Sequence, residues 1–281
     1  MQRRGRLVLV PLAIALVVAA VQYFSAHKTV DSETGRVLRG AFSDEQGAAL
    51  GLQAYRQILA SEQVLESGAE ADLVRRVAAR LVPVIGEAGR GFEWAVSVVR
   101  NPQANAFCLP GGKIVVYTGI LPVARTEDGL AVVMGHEIAH ATLRHGSQRM
   151  LKTQLAQTVM QGVAASTSMS DMSGEQRQAV LSALGVGTRV GVLLPFSREH
   201  ESEADERGLL YAARAGYDPR EAIGFWERMS ANSGGNPPEF LSTHPSHGSR
   251  IERLRALLPR ALEEYQRAAP RLRDSSHVPA R

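Results

Sequence analysis

The chain has one cysteine, Cys108, in 281 residues. A single thiol cannot build a disulfide framework or a Cys-rich zinc finger, so any metal site has to use imidazoles and carboxylates. No cysteine lies near the N-terminus to carry a lipid. Long blocks of one charge are also missing. Lysine and arginine number 32 against 28 acidic residues, a net of +4, and they are scattered. That pattern argues against nucleic acid as a partner. No segment repeats at a period of about 20–50 residues. What is present, 44% hydrophobic and 21% charged residues, is a globular composition. It suffices to bury a core without covalent staples.

The N-terminus carries Arg3, Arg4 and Arg6, then an uncharged, mostly apolar run from Leu7 to Phe24. As a helix that run spans about 27 Å, close to the hydrocarbon thickness of a bilayer. Cleavage of a signal peptide after Ala26 would place bulky Phe24 where a small residue is wanted, whereas cleavage after Ala20 stays open. The length of the run favours a retained anchor. The preceding arginines then put the N-terminus in the cytoplasm and the body outside. A second apolar run, Leu181–Phe196, is short for a span and is interrupted by Arg189.

Further on, Ser43 with Gln46 reads as a helix start, and a second helical stretch covers about 69–86. Phe92–Val99 reads as a strand. Ala104–Leu109 and Lys113–Thr118 flank Pro110-Gly111-Gly112 as a hairpin. A helix is expected from Thr126 to at least His145, with Gly146 as its end. Ser197 caps another, which stops at Gly216. Asp218-Pro219 opens the next, Ser233–Pro238 is a loop, and a last helix runs from Arg250 to about Ala268.

The chemistry is carried by Gly135-His136-Glu137-Ile138-Ala139-His140. Residues four apart share a helix face, so His136 and His140 can aim two imidazoles at one metal ion. Glu137 lies about 100° round the helix from His136, where it can reach a water beside the metal without being a ligand. This is the H-E-x-x-H pattern of zinc hydrolases. Leu130, Val133, Met134, Ile138 and Leu143 make the helix a buried one, and polar groups inside it need partners. Catalytic zinc takes three protein ligands, so a third lies elsewhere. On a continuous helix His145 points about 140° away from His140 and is rejected as a ligand in favour of a surface or structural role. In Ser197-Arg198-Glu199-His200-Glu201-Ser202-Glu203-Ala204-Asp205, three glutamates compete. Glu201 and Asp205 share a face, so Glu201 could ligate while Asp205 accepts the other N–H of a liganding histidine. Glu203 lies about 200° from Glu201 and cannot share that role. A solvated acidic helix start would suit the same charges.

His136-Glu137-x-x-His140 with Glu201-x-Glu203-Ala204-Asp205 resembles peptidase family M48, which includes HtpX-type membrane proteases and CAAX prenyl proteases. Asn105-Ala106-Phe107-x-x-Pro110-Gly111-Gly112, followed by Ile114, Val116 and Gly119, is similar to that family's active-site strand and hairpin. Thr243-His244-Pro245 with Arg250 resembles its late His-Pro motif. Gly35-Arg36, Glu45-Gln46 and Leu50-Gly51 resemble the branch of bacterial envelope proteases and the mitochondrial inner-membrane protease. The resemblance covers about residues 35–265.

It implies an α+β, mostly helical, gluzincin-like metallopeptidase domain with a small antiparallel sheet beside the active-site helix. That domain would occupy 29–269, between an anchor or signal segment (1–28) and a flexible tail (270–281). It implies one zinc per chain on His136, His140 and Glu201, with Asp205 behind them and Glu137 as the base. His244 or Arg250 would stabilise the oxyanion, or His244 would close the zinc site. Asn105, Ala106 and Phe107 would bind substrate as an added strand. Cys108 stands where Ala or Ser is common in the family. A small buried hydrophobe is favoured there over a reactive thiol. The expected activity is zinc metalloendopeptidase action on damaged or misfolded envelope polypeptides. The expected location is the bacterial cell envelope, with the chain anchored in the inner membrane and its catalytic domain in the periplasm. The competing reading is a zinc-containing chaperone or binding protein.

Overall fold

The computed structural model describes residues 8–188, 197–231, 239–244 and 249–275. Arg3, Arg4, Arg6, Leu7, Arg189, the Ser233–Pro238 loop and Pro245 lie outside them. In chain order the elements are α1 (Val10–Ser25), β1 (His27–Val30), β2 (Val37–Gly40), α2 (Asp44–Ser61), α3 (Ala69–Leu81), β3 (Ala95–Val99), β4 (Ala106–Leu109), β5 (Lys113–Tyr117), α4 (Leu121–Ala124), α5 (Glu127–Thr142), α6 (His145–Ser168), α7 (Gly174–Thr188), α8 (Arg198–Arg214), α9 (Glu221–Ala231), α10 (Glu239–Thr243) and α11 (Arg250–Ser275). The chain is mostly helical with small sheets, as expected.

Two compact units divide it. One comprises 1–30, 36–43 and 146–194. In it β1 and β2 pair antiparallel, His27 opposite Gly40 and Val30 opposite Val37. Helix α1 lies against α6 where Gly162 leaves no room for a side chain beside Ala15. Ser166 and Ser170 accept the otherwise unpaired N–H groups of Leu12 (3.0 Å) and Val8 (2.8 Å) at the start of α1. Val10, Ile14, Val17 and Phe24 are exposed. The expected anchor run is thus helical from Val10, but among the described residues no helix is long and apolar enough to cross a membrane.

The other unit comprises 31–35, 44–145 and 195–281. Its three-stranded sheet has the order β3-β5-β4. The hairpin strands β4 and β5 pair antiparallel, turning through Gly111 and Gly112, both at positive φ. Strand β3 joins β5 in parallel, so the sheet is mixed. Every residue of β5 is buried. Helix α5 packs beside β4 and is apolar on nearly all faces, which drives it into the core; Gly129 to Thr142 are all buried. Thr126 caps it by accepting the N–H of Gly129 at 3.0 Å, with Glu127 and Asp128 in the first turn.

Helix α5 stops at Thr142, short of the expected His145. Arg144 adopts φ 55°, a left-handed turn. Its guanidinium bonds the carbonyl of Thr142 and, at 2.8 and 2.9 Å, the carboxylate of Asp44, which holds that conformation. At the other end of the chain α11 runs to Ser275, into the stretch expected as a tail. Leu254, Ala261 and Ala268 recur every two turns on its buried side, a helical stripe that polar composition alone hides.

Helices α5 and α8 touch through their backbones. A Cβ at Gly135 would lie 2.7 Å from the carbonyl oxygen of Gly208, and one at Gly208 would lie 2.6 Å from the nitrogen of His136. Gly208→Ala is therefore expected to cost about 1–3 kcal/mol by overpacking, read by urea unfolding. Gly146→Ala, with nothing within 4 Å, should be neutral or stabilising.

Candidate metal centre

Four side chains meet where these elements converge. Helix α5 contributes His136 and His140, α8 contributes Glu201, and His244 follows α10. Each offers one ligand atom, and these atoms all lie within 4.8 Å of one another; all four residues are buried. His136 Nε2 is 3.1 Å from His140 Nε2 and 3.3 Å from His244 Nδ1. Glu201 Oε1 is 3.0 Å from His244 Nδ1 and 3.4 Å from His140 Nε2. The ring of His244 stacks on Phe240, centroids 4.6 Å apart.

The far nitrogens of the three rings decide what the near ones can do. His136 Nδ1 faces Asp205 Oδ1 at 3.1 Å. His140 Nδ1 faces His145 Nδ1 at 3.0 Å. His244 Nε2 faces Glu137 Oε1 at 3.5 Å. Each far nitrogen faces an atom able to accept within 3.5 Å, so each ring can carry its proton there and turn a lone pair to the common centre. Three lone pairs and a buried carboxylate around one point repel unless a cation sits among them. The donor set, nitrogens and a carboxylate oxygen, fits zinc.

The surrounding charges agree. Burial favours the neutral form of His136, but hydrogen bonds to Asp205 and Glu201 outweigh it and raise its pKa. Burial holds His140 well below the ordinary value. Burial also opposes ionisation of Glu201, yet its three histidine neighbours lower its pKa. Asp205 is likewise lowered, burial being overcome chiefly by the charge of Arg250. Glu137 differs. Burial pushes its carboxyl up to about 7, with His244 pulling down and Glu201 pushing up. It lies outside the four-donor group, next on the helix to His136.

Arg250 is 1% exposed; its Nη2 donates to Asp205 Oδ1 at 2.6 Å and faces Glu201 Oε2 at 3.1 Å, and its guanidinium lies 3.3 Å from the centre of the Trp226 ring. It braces the two carboxylates. The main-chain carbonyl of Asn105 accepts the N–H of Tyr117. Ala106 is buried and the Phe107 ring packs edge-on against Tyr117, so what β4 has free is backbone on its edge. Cys108 is half-buried, and burial and then the Glu137 charge push its thiol up, as suits a small hydrophobe. His145 is wholly buried, so its expected surface position gives way to the structural one. Gly208, Trp226 and the packing role of Gly135 escaped the sequence reading. A glycine immediately before the first histidine, and another in α8 after Asp205, are the signal that a close helix crossing leaves.

The model of peptidase family M48 matches residues 69–258. The chain belongs to peptidase family M48. It is similar to the mitochondrial metalloendopeptidase OMA1 of Schizosaccharomyces pombe, 39% identical over 213 residues that cover 74% of this chain and 60% of that protein. Human metalloendopeptidase OMA1, mitochondrial, is 32% identical over 259 residues, 86% of this chain and 48% of the relative. The beta-barrel assembly-enhancing protease of Escherichia coli is 30% identical over 199 residues, 70% and 40% respectively. The chain spans about half the length of the curated relatives it matches. These matches bear out the expected membership of peptidase family M48, and the four-donor group is one that could hold the expected metal. They overturn the expected bacterial envelope location: the yeast and human relatives, more similar than the E. coli protein, are mitochondrial by name.

Proposed function

We propose that the chain is a zinc-dependent metalloendopeptidase that hydrolyses peptide bonds of damaged or misfolded proteins. The observation that carries this is the convergence of three imidazole nitrogens and the Glu201 carboxylate beside a carboxyl that burial lifts to about 7. His136, His140 and Glu201 would hold the zinc, and Asp205 would keep the His136 ring in place. A bound zinc supplies Lewis acidity and a water acidified towards neutral pH. Glu137 takes a proton from water and returns it to the leaving amine. The edge of β4 beside α5 supports substrate binding as an added strand through Asn105, Ala106 and Phe107, with broad side-chain specificity. The peptidase region is read as 29–269, with a membrane-associating segment before it, supported by the exposed apolar residues of α1.

His244 has two readings. It could steady the oxyanion. Its Nδ1 among the donors favours the other, in which it fills zinc's fourth position and closes the site until it swings out. His244→Ala is expected to keep one zinc per chain; cleavage rising would support closure, and cleavage falling would support the oxyanion role.

The test of the whole reading is casein digestion by the full chain with and without a chelator. Digestion is expected only without it, and should return on adding zinc. His136→Ala with His140→Ala is expected to reduce bound zinc from one per chain to none by elemental analysis. Chelator-resistant digestion, or zinc retained by the double variant, would sink the reading. A zinc-containing chaperone that captures peptides is the competing class.

A further inference from the structure

His145 is wholly buried behind His140, outside the four-donor group. Its Nδ1 stands 3.0 Å from His140 Nδ1, and its Nε2 stands 3.1 Å from Glu203 Oε2. Its ring lies flat on that of His200, centroids 4.3 Å apart and planes 17° from parallel. The Glu203 side chain is 28% exposed and so reaches the rim.

We propose that His145 and Glu203 form a positioning relay that fixes the tautomer and ring angle of His140. The inference rests on the reading of His140 as a zinc ligand. An ionised carboxylate only accepts, so Glu203 requires the proton of a neutral His145 on Nε2. That leaves a lone pair on His145 Nδ1, which can only accept. His140 must then donate from Nδ1, and its Nε2 lone pair is directed to the centre. One orientation of protons satisfies the whole row. The helix break makes it possible: left-handed Arg144 ends α5 and turns His145 back under His140, where a continuing helix would carry it away. The two histidines are therefore held differently, His136 directly by a buried carboxylate and His140 through a second imidazole by a carboxylate at the surface.

The experiment uses the full chain and zinc alone, with affinity read by competition against a chromophoric chelator and geometry read from the absorption bands of the cobalt-substituted protein. Outer partners of ligating histidines are worth about 10- to 100-fold in metal affinity. His145→Leu, which removes both contacts, is expected to lose about that much and to shift the cobalt bands. His145→Asn, which retains an oxygen near the Nδ1 position, should recover part of the loss. Glu203→Ala leaves the core intact and is expected to weaken zinc by about 10-fold. Wild-type affinity and unchanged cobalt bands in Glu203→Ala and in folded His145→Leu would overturn the relay. His140→Ala separates the two levels: zinc bound at wild-type affinity there overturns the ligand reading, whereas zinc lost there but untouched by the His145 and Glu203 variants overturns the relay alone.

Discussion

Glu137→Gln is expected to lower casein cleavage by about 10²- to 10⁴-fold while the protein keeps its zinc. The substitution preserves shape and volume, so the packing of α5 should survive. It removes only the capacity to take a proton. Glu137 is suited to that task because burial, more than any neighbour, lifts its carboxyl to about 7, where a base can both accept and release a proton near neutral pH. It does not belong to the four-donor group, so its loss leaves the zinc affinity intact. Cleavage assays on samples of measured zinc content check both halves. Full cleavage by zinc-loaded Glu137→Gln removes the base assignment, and zinc lost together with cleavage removes the separation of base from ligands. The same variant tests the peptide-capture class, for which cellular function would persist without hydrolysis.

Asp31→Asn should destabilise the unit that holds the metal centre by about 3 kcal/mol at neutral pH. Asp31 and Arg207 are each 7% exposed and pair through two bonds of 3.1 and 2.9 Å. Thr34 adds a further bond to the same carboxylate. The variant leaves the Arg207 charge buried, compensated only in part by Glu33 at 3.5 Å. That partial compensation points to the lower end of the range for breaking a buried pair. Burial alone would raise the Asp31 pKa, but the hydrogen bonds from Arg207 and Thr34 lower it below the ordinary 3.8. A lowered folded value means that the contribution is complete above 3.8 and fades as pH falls through the folded value. Urea unfolding from neutral to acid pH should therefore show the gap between parent and variant narrowing below about pH 4. A gap constant across that window would remove the ion pair as its cause.

Much of the centre was legible because it is local. The Thr126 cap, the acidic first turn and the His136–His140 spacing all lie within one helix, where chain geometry dictates which side chains share a face. Glu201 was legible as a partner of Asp205 on one face of α8, but its choice over Glu199 and Glu203 depends on how α8 crosses α5. What sequence alone did not yield is nonlocal. The end of α5 is set by Asp44, a hundred residues upstream, holding Arg144 in a turn that no glycine announces. The position of Arg250 depends on two carboxylates and Trp226 from other helices. The parallel pairing of β3 with β5 skips the intervening hairpin strand, which periodicity cannot foresee.

The meeting of Gly135 with Gly208 has one more consequence. Where bulky residues separate two helices, their spacing drifts with every exchange in the core. Here main chain rests on main chain, so no side chain sets the spacing between the helix that carries Glu201 and the one that carries the paired imidazoles. Leu130, Met134 or Leu209 could be traded for neighbours of similar volume, and the ångström-scale register of the donors should hold.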